Sequence, residues 1–341
     1  MTISNEIRFA IVGCGHIAHR HAKHLDENTE ASLLNCFDVN SSKSDDFANN
    51  FGLSSSKSLE DLLSKDFEVL IIATPNASHT EIANQALKAG KHVLIEKPMD
   101  IDSSKAEATM LLAKELGLAL FVVKQNRYNP PIEKLKELIS KGKLGKLHNL
   151  SFHCFWNRNE AYYKQSPWRG TKDQDGGVLF TQFSHFIDIL YYLFGSPKEV
   201  LGFYSKNREA DYLEYEDNAN FSFRLESGLS GSLSVSTTCF QKNMEGSLTL
   251  IAENMSIKIG GKYLNSLEYI SGLEDEFEGM ETSRPANDYG HYEGSMSNHD
   301  KVIQNVINHL KSGEDIMTTG EDGLEVVKII EQFYKSAVEL K

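Results

Sequence analysis

Residues 8–18 constrain this chain more than any other stretch. The apolar run Arg8-Phe9-Ala10-Ile11-Val12 leads straight into Gly13-Cys14-Gly15-His16-Ile17-Ala18. A buried strand that meets two glycines one residue apart must turn tightly, and the apolar periodicity that follows opens a helix. Gly13 permits the turn. Gly15 lets backbone N–H groups approach an anion, which the helix N-terminus favours electrostatically. Ala18 takes the third glycine slot and keeps helix and strand close. A second apolar run, Leu33-Leu34-Asn35-Cys36-Phe37, ends at Asp38, 20 residues past Ala18. This is the dinucleotide-binding pattern. A carboxylate at Asp38 accepts hydrogen bonds from ribose hydroxyls and repels a 2′-phosphate. Val39-Asn40-Ser41-Ser42 brings no arginine. The cofactor expected is therefore NAD rather than NADP.

At 341 residues the chain is long enough for two domains. Residues 7 to about 125 alternate short apolar runs with helical patterns. The runs are Glu68–Ala73, His92–Ile95 and Ala119–Val123, with helices at Ser78–Lys88 and Ser103–Leu116. Gly90 and Gly117 stand at helix ends. Such alternation predicts a parallel sheet covered on both faces. Pro130 and Pro131 begin a further helix. From about Leu147 the pattern changes to alternating strands, at Asn149–Phe155, Ala219–Leu225, Leu229–Thr237 and Gly246–Ile251. A helix is expected at Gln182–Leu193, and closing helices at Asn298–Leu310 and Glu321–Ser336. The fold class expected is α/β: a Rossmann domain over 1–125, then an α+β domain over 126–341 with an open, mostly antiparallel sheet. The closing helices are expected to pack back on the first domain. An open sheet needs a cover, which a second copy supplies in a homo-dimer or homo-tetramer.

The net charge of −13 argues against a nucleic-acid or anionic-membrane partner. No apolar stretch approaches the roughly 20 residues that span a bilayer, and Met1 to Glu6 lacks a signal-peptide core. The expected location is cytoplasmic. The four cysteines are scattered without CxxC spacing, as free thiols in a reducing compartment are. His16, His19, His21 and His24 crowd one helix, but no carboxylate or thiol completes a set in sequence, so no metal is expected.

Ligands of doubly wound sheets bind beyond the carboxyl ends of the strands. Thr74-Pro75-Asn76, with His79 in the next helix, and Glu96-Lys97-Pro98 both fall there. Pro98 is a candidate cis proline that would aim Lys97. Together with the Gly13/Gly15 turn and Ala89-Gly90-Lys91-His92-Val93, these motifs resemble the glucose-fructose oxidoreductase / inositol dehydrogenase (Gfo/Idh/MocA) family, over essentially the whole chain. The resemblance implies a Rossmann domain, a C-terminal open-sheet domain, and NAD(P)-linked oxidation or reduction of a sugar or cyclitol carbon.

A narrower resemblance runs through Lys124-Gln125-Asn126-Arg127-Tyr128-Asn129-Pro130-Pro131, Tyr162-Tyr163, Trp168-Arg169-Gly170-Thr171, Asp175-Gly176-Gly177, Asn287-Asp288-Tyr289-Gly290, Gly294-Ser295 and Asn298-His299. These look like the branch that oxidises UDP-N-acetylglucosaminuronic acid at C3 in bacterial surface-polysaccharide (lipopolysaccharide) synthesis. The broader family places an aspartate four residues before its catalytic histidine; here Thr181 precedes His185. The resemblance implies Lys97 and His185 as the proton-transfer pair, either of them the base. It implies cofactor contacts from Gly13, Gly15, His16, Ile17, Asp38, Thr74, Pro75, Asn76, His79, Glu96, Lys97, Gln125, Trp168 and Arg169. It implies substrate contacts from Lys97, Asn126, Arg127, Tyr128, Tyr163, Thr181, Gln182, His185 and Tyr289. Asp188, one turn beyond His185, either orients that ring or is structural. An arginine fork at Arg127 or Arg169 suits an acidic sugar or diphosphate. The alternatives are an inositol or free-sugar dehydrogenase, a non-catalytic NAD-binding regulator, and an enzyme whose bound NADH is recycled by 2-oxoglutarate.

Overall fold

The computed structural model describes residues 6–284, 286–288 and 293–340; Tyr289 and Gly290 lie outside them. The chain divides into two compact units, residues 1–124 with 299–327 and residues 125–298 with 328–341.

The first unit opens with β1 (Ile7–Val12), α1 (His16–Asp26), β2 (Ala31–Phe37), α2 (Ser41–Phe51), β3 (Ser54–Ser55), α3 (Leu59–Leu63), β4 (Val69–Ile72), α4 (His79–Lys88), β5 (His92–Ile95), α5 (Ser103–Leu116) and β6 (Leu120–Val122). The six strands form one parallel sheet in the order β3-β2-β1-β4-β5-β6. Phe9 to Ile11 and Val69 to Ile72 are wholly buried, as strands covered on both faces must be. Side-chain caps set the helix starts: Asn40 accepts from Lys43 N before α2, and Asp102 from Ser104 N and Lys105 N before α5. Gly117 ends α5 in the left-handed region, at φ +65°.

The second unit contains α6 (Pro130–Ser140), β7 (Leu147–Phe155), α7 (Glu160–Lys164), α8 (Val178–Thr181), α9 (Ser184–Phe194), β8 (Pro197–Ser205), β9 (Asn218–Leu225), β10 (Ser230–Ser236), β11 (Glu245–Ala252), β12 (Ser256–Gly260), β13 (Ser266–Ser271), β14 (Ala286–Asp288) and β15 (Glu293–Met296). After it, α10 (His299–Ser312) and the start of α11 (Gly320–Ser336) return to the first unit, where Thr319 bridges Phe121 at the β6 edge. β16 (Ala337–Leu340) follows α11.

The second unit's large sheet runs β13-β12-β11-β7-β10-β9-β8-β16. Only β10 with β7 and β16 with β8 pair in parallel; the other pairs are antiparallel. Along β9, Ala219, Phe221, Phe223 and Leu225 are buried while Asn220, Ser222 and Arg224 are exposed. Phe333 of α11 covers the buried face, edge-on to Phe221 at 4.7 Å. The expected helix at Gln182–Leu193 is α9, which starts two residues later, at Ser184, and is preceded by the one-turn α8.

Glu216 starts α8. Its Oε1 accepts the N–H of Val178 at 2.9 Å and the hydroxyl of Tyr334. Burial raises its pKa from the ordinary 4.5 to about 7. A carboxyl whose folded pKa is raised binds its proton more tightly folded than unfolded. The stabilisation is therefore complete below about pH 4.5 and is lost as pH rises to about 7, a span worth roughly 3 kcal/mol. Glu216→Gln is expected to remove this slope. Denaturant unfolding should show the variant gaining on the wild type between pH 5 and pH 8.

Candidate active site

The glycine turn has the shape its sequence demands. Gly13 sits at φ +86°, and a Cβ there would lie 2.5 Å from the carbonyl oxygen of Ala73. Its N–H donates to Phe37 O at 2.8 Å, tying the ends of β1 and β2 together. Gly15 differs: among the described residues a Cβ there would meet nothing within 4 Å. The space above it is open to a ligand, and α1 begins at Gly15 with no side-chain cap on its first N–H groups. Asp38, beyond β2, accepts the N–H of Cys14 through Oδ2 and that of Asn40 through Oδ1, both at 2.8 Å. The carboxylate is thereby fixed against the turn. An open cradle, uncapped N–H groups and a fixed acid fit a dinucleotide. His16 is exposed and Ile17 half-buried at this mouth.

The two polar clusters at the strand ends are stapled by His79. Its Nδ1 is 2.7 Å from Pro98 O and its Nε2 2.9 Å from Thr74 O. Burial lowers its pKa, so a neutral ring donates to one of these carbonyls. With its one N–H the neutral ring is tied to the end of β4 or of β5 and packs against the other; both ring nitrogens face backbone carbonyls, which corrects the cofactor contact expected from sequence. Thr74 and Pro75 are half-buried and Asn76 is buried beside it. The Lys97–Pro98 peptide is cis. Lys97 is half-buried, whereas Glu96 before it is 6% exposed.

Glu96 accepts from His21 Nε2 at 2.8 Å, and His299 Nε2 stands 3.9 Å from the same oxygen. The expectation that no carboxylate joins the α1 histidines is corrected here. Glu96 and His299 reach His21 from β5 and α10, far away in sequence.

In the second unit, Gln125, Asn126, Arg127 and Tyr128 form a buried 3-10 turn. Asn126 is 1% exposed, and neither amide atom of its side chain has a hydrogen-bond partner among the described residues. A buried amide left so costs about 1–3 kcal/mol, which a bound polar ligand recovers. Arg127 was expected to meet the substrate's acid. Its Nε and Nη2 instead donate to both oxygens of Asp188, at 2.7–3.2 Å, with both side chains almost fully buried. The fork is held inside the unit, and Asp188 is its counter-ion.

His185 is 4% exposed on α9, one turn beyond Thr181. Gln182 accepts from Arg158 Nε and donates to Tyr162 Oη, both at 2.6 Å. Arg158, 2% exposed, stacks over Trp156 and Tyr162 at 4.9 and 5.2 Å. Sequence reading missed it; its signal was a cation three residues past Phe155, the aromatic end of β7. Arg169 lies over Tyr162 at 4.3 Å and donates to Gln165 Oε1 at 2.6 Å, while Trp168 is half-buried beside it. Asp175 secures this turn, accepting from Gly170 N at 2.8 Å and Tyr215 Oη at 2.6 Å. Burial pushes the Tyr163 phenol well above its usual range. Lys97 and His185 belong to different units.

Residues 7–124 match the oxidoreductase family, NAD-binding Rossmann fold, of the Gfo/Idh/MocA proteins, and residues 132–258 match the Gfo/Idh/MocA C-terminal domain. Glucose-6-phosphate 3-dehydrogenase of Bacillus subtilis is 33% identical over 191 residues, covering 55% of this chain and 54% of that enzyme. The match thus spans about half that relative's length. The scyllo-inositol 2-dehydrogenase (NADP(+)) IolW of the same organism is 26% identical, covering 80% of this chain and 77% of its own. The WlbA dehydrogenase of Bordetella pertussis, solved in complex with NADH and UDP-GlcNAcA, is 29% identical. That match covers 97% of this chain and 95% of WlbA with a TM-score of 0.88. Both family domains, in order and over more than half the chain, together with the Gly13–Asp38 cradle, show that this protein belongs to the Gfo/Idh/MocA family and is an NAD-binding oxidoreductase.

Proposed function

We propose that the protein oxidises a secondary alcohol of a nucleotide sugar, C3 of UDP-N-acetylglucosaminuronic acid, to the ketone. The observation that carries this is the likeness to WlbA at 29% identity with a TM-score of 0.88 along nearly the whole of both chains. Bound NAD supplies the hydride acceptor. This chain's residues supply the rest. Gly13, Gly15 and Asp38 bind and orient the dinucleotide. Lys97, as a cation, donates a hydrogen bond to the reacting oxygen and stabilises the alkoxide that develops there. His185 takes the hydroxyl proton, a task suited to an imidazole near pH 7; the roles of Lys97 and His185 are exchangeable on the geometry of each unit alone. Asn126 offers an unpaired donor and acceptor to the sugar or nicotinamide amide. Arg158 and Tyr162 hold Gln182, three residues before His185, and Arg169 presents its charge beside Trp168.

The product's place is before a reaction that consumes a 3-keto sugar, such as amination, in surface-polysaccharide synthesis. The uncovered face of the large sheet, with exposed Leu201 and Phe203 on β8 and Val338 on β16, suits assembly of copies into a dimer or tetramer.

The test is incubation with NAD and UDP-N-acetylglucosaminuronic acid, with and without 2-oxoglutarate. The expected result is a sugar nucleotide about 2 Da lighter by mass spectrometry. Tightly held NADH in the purified protein, with turnover only when 2-oxoglutarate is present, would mean recycling in place. Turnover of inositol or glucose 6-phosphate with none of the nucleotide sugar would overturn the substrate assignment.

A further inference from the structure

Behind Lys97 lies a polar cluster that the reaction above does not employ. Glu96 Oε1 accepts from His21 Nε2 at 2.8 Å, and its Oε2 accepts the backbone N–H of Lys97 at 3.2 Å. His299 faces His21 edge-on at 5.3 Å, and His24 stacks on His299 at 6.5 Å. Its 3.9 Å separation from Glu96 is too long for a hydrogen bond. Nδ1 of His21 and of His299 are buried without a partner among the described residues. Burial lowers His299 to about 3, leaving it neutral. Burial alone would raise Glu96; the hydrogen bond from His21 and the nearby His21, His299 and Lys97 hold it down at about 2. The groups facing Glu96 are thus His21 from α1, His299 from α10 and Lys97 beside it, with His79 of α4 in range; Arg20 and His24 face His299, and Asp300 faces His24.

One ligand atom from each of His21, Glu96 and His299 falls within 4.8 Å of the others, a set zinc accepts. The spacing speaks against it. Ligand atoms about 2.0–2.1 Å from a tetrahedral zinc stand roughly 3.3 Å apart, whereas His21 and Glu96 are at hydrogen-bond length, 2.8 Å. Metal-bound histidines also anchor their second nitrogen, and here both Nδ1 atoms lack an anchor. The arrangement is a hydrogen-bonded clamp around a buried anion.

We propose that His21 and Glu96 form a buried donor–carboxylate clamp that positions Lys97 and stabilises its ammonium form, with His299 closing the cluster. Glu96 holds the Lys97 backbone through its N–H and supplies a fixed negative charge one residue away. His21 keeps that carboxylate aimed. Both are positioning residues, and the proposal rests on the role given to Lys97 above.

The test reads Lys97 directly. Competitive labelling of the intact protein with acetic anhydride across pH, followed by peptide mass analysis, gives the titration of Lys97 without any substrate. Glu96→Gln is expected to lower that titration by about one pH unit. It should also cut kcat by about tenfold or more, with NAD affinity and substrate KM within about threefold. Glu96→Asp keeps the charge and is expected to titrate like the wild type. His21→Gln, which keeps a donor, should recover most of the kcat that His21→Ala loses. That second comparison carries the test should Glu96→Gln fail to fold. An unchanged Lys97 titration in Glu96→Gln, equal turnover of His21→Ala and His21→Gln, or a stoichiometric metal that survives dialysis against chelator and is lost in Glu96→Gln would overturn the proposal. Lys97→Ala separates the two readings. If it is inactive while Glu96→Gln titrates normally, only the clamp fails; if it keeps full turnover, the role of Lys97 itself fails.

Discussion

Replacing Lys97 with alanine is expected to lower kcat by about 10²–10⁴-fold while NAD binds with near wild-type affinity. Lys97 follows β5 at the carboxyl edge of the parallel sheet, the edge where such sheets receive ligands. The anchors proposed for the dinucleotide are elsewhere in the same unit, at Gly13, Gly15 and Asp38. An ammonium that acts on the developing alkoxide contributes more in the transition state than in the ground state, so its loss lowers kcat and kcat/KM together. Lys97→Met, which keeps much of the stem without the charge, is expected to be as slow. Steady-state kinetics alongside NAD titration by fluorescence separates the two effects. A variant with weakened NAD binding and intact kcat would make Lys97 a cofactor anchor instead.

Asp188→Ala is expected to destabilise the second unit by about 3–5 kcal/mol, because it leaves the Arg127 guanidinium buried without its counter-ion. The corresponding drop in Tm is about 10 °C. Asp188→Asn retains acceptor oxygen and volume and should lose less. Thermal unfolding of both variants checks this. If Asp188 served chiefly to orient His185, the pattern would reverse: Asp188→Asn would keep its Tm and lose most of its turnover. The bidentate geometry, with three N–H···O contacts of 2.7–3.2 Å, supports the structural outcome.

What the sequence made legible follows from how far each interaction reaches along the chain. The Gly13 turn, the start of α1 and the carboxylate at Asp38 are local consequences of glycine, apolar periodicity and spacing. The alternation of short apolar runs with helices predicted the parallel sheet for the same reason. The pairs that refine the site are not local. Glu96 meets His21 across 75 positions and Arg127 meets Asp188 across 61. Such contacts depend on which helix face is buried and on how strands are ordered, and periodicity carries neither partner's identity. One hint was present: the buried face of α1 reads Ala18, His21, Ala22, Leu25, so a histidine sits where an apolar side chain is the default. A buried imidazole needs a partner, and Glu96 is that partner. Arg127 misled for the complementary reason. An arginine next to the strand end suits an anionic ligand, but a carboxylate on α9 claims it first.

The most direct measurement is a single turnover with UDP-N-acetylglucosaminuronic acid carrying deuterium at C3. After mixing with NAD and quenching in acid, the cofactor and sugar are weighed by mass spectrometry, so that a reduced cofactor which never leaves the protein is still counted. The account predicts deuterium on the reduced nicotinamide and a 3-keto sugar without it, both formed about 10²–10⁴-fold more slowly in Lys97→Ala. Unreduced cofactor with this sugar, in protein that does transfer deuterium from labelled inositol or glucose 6-phosphate, would contradict it.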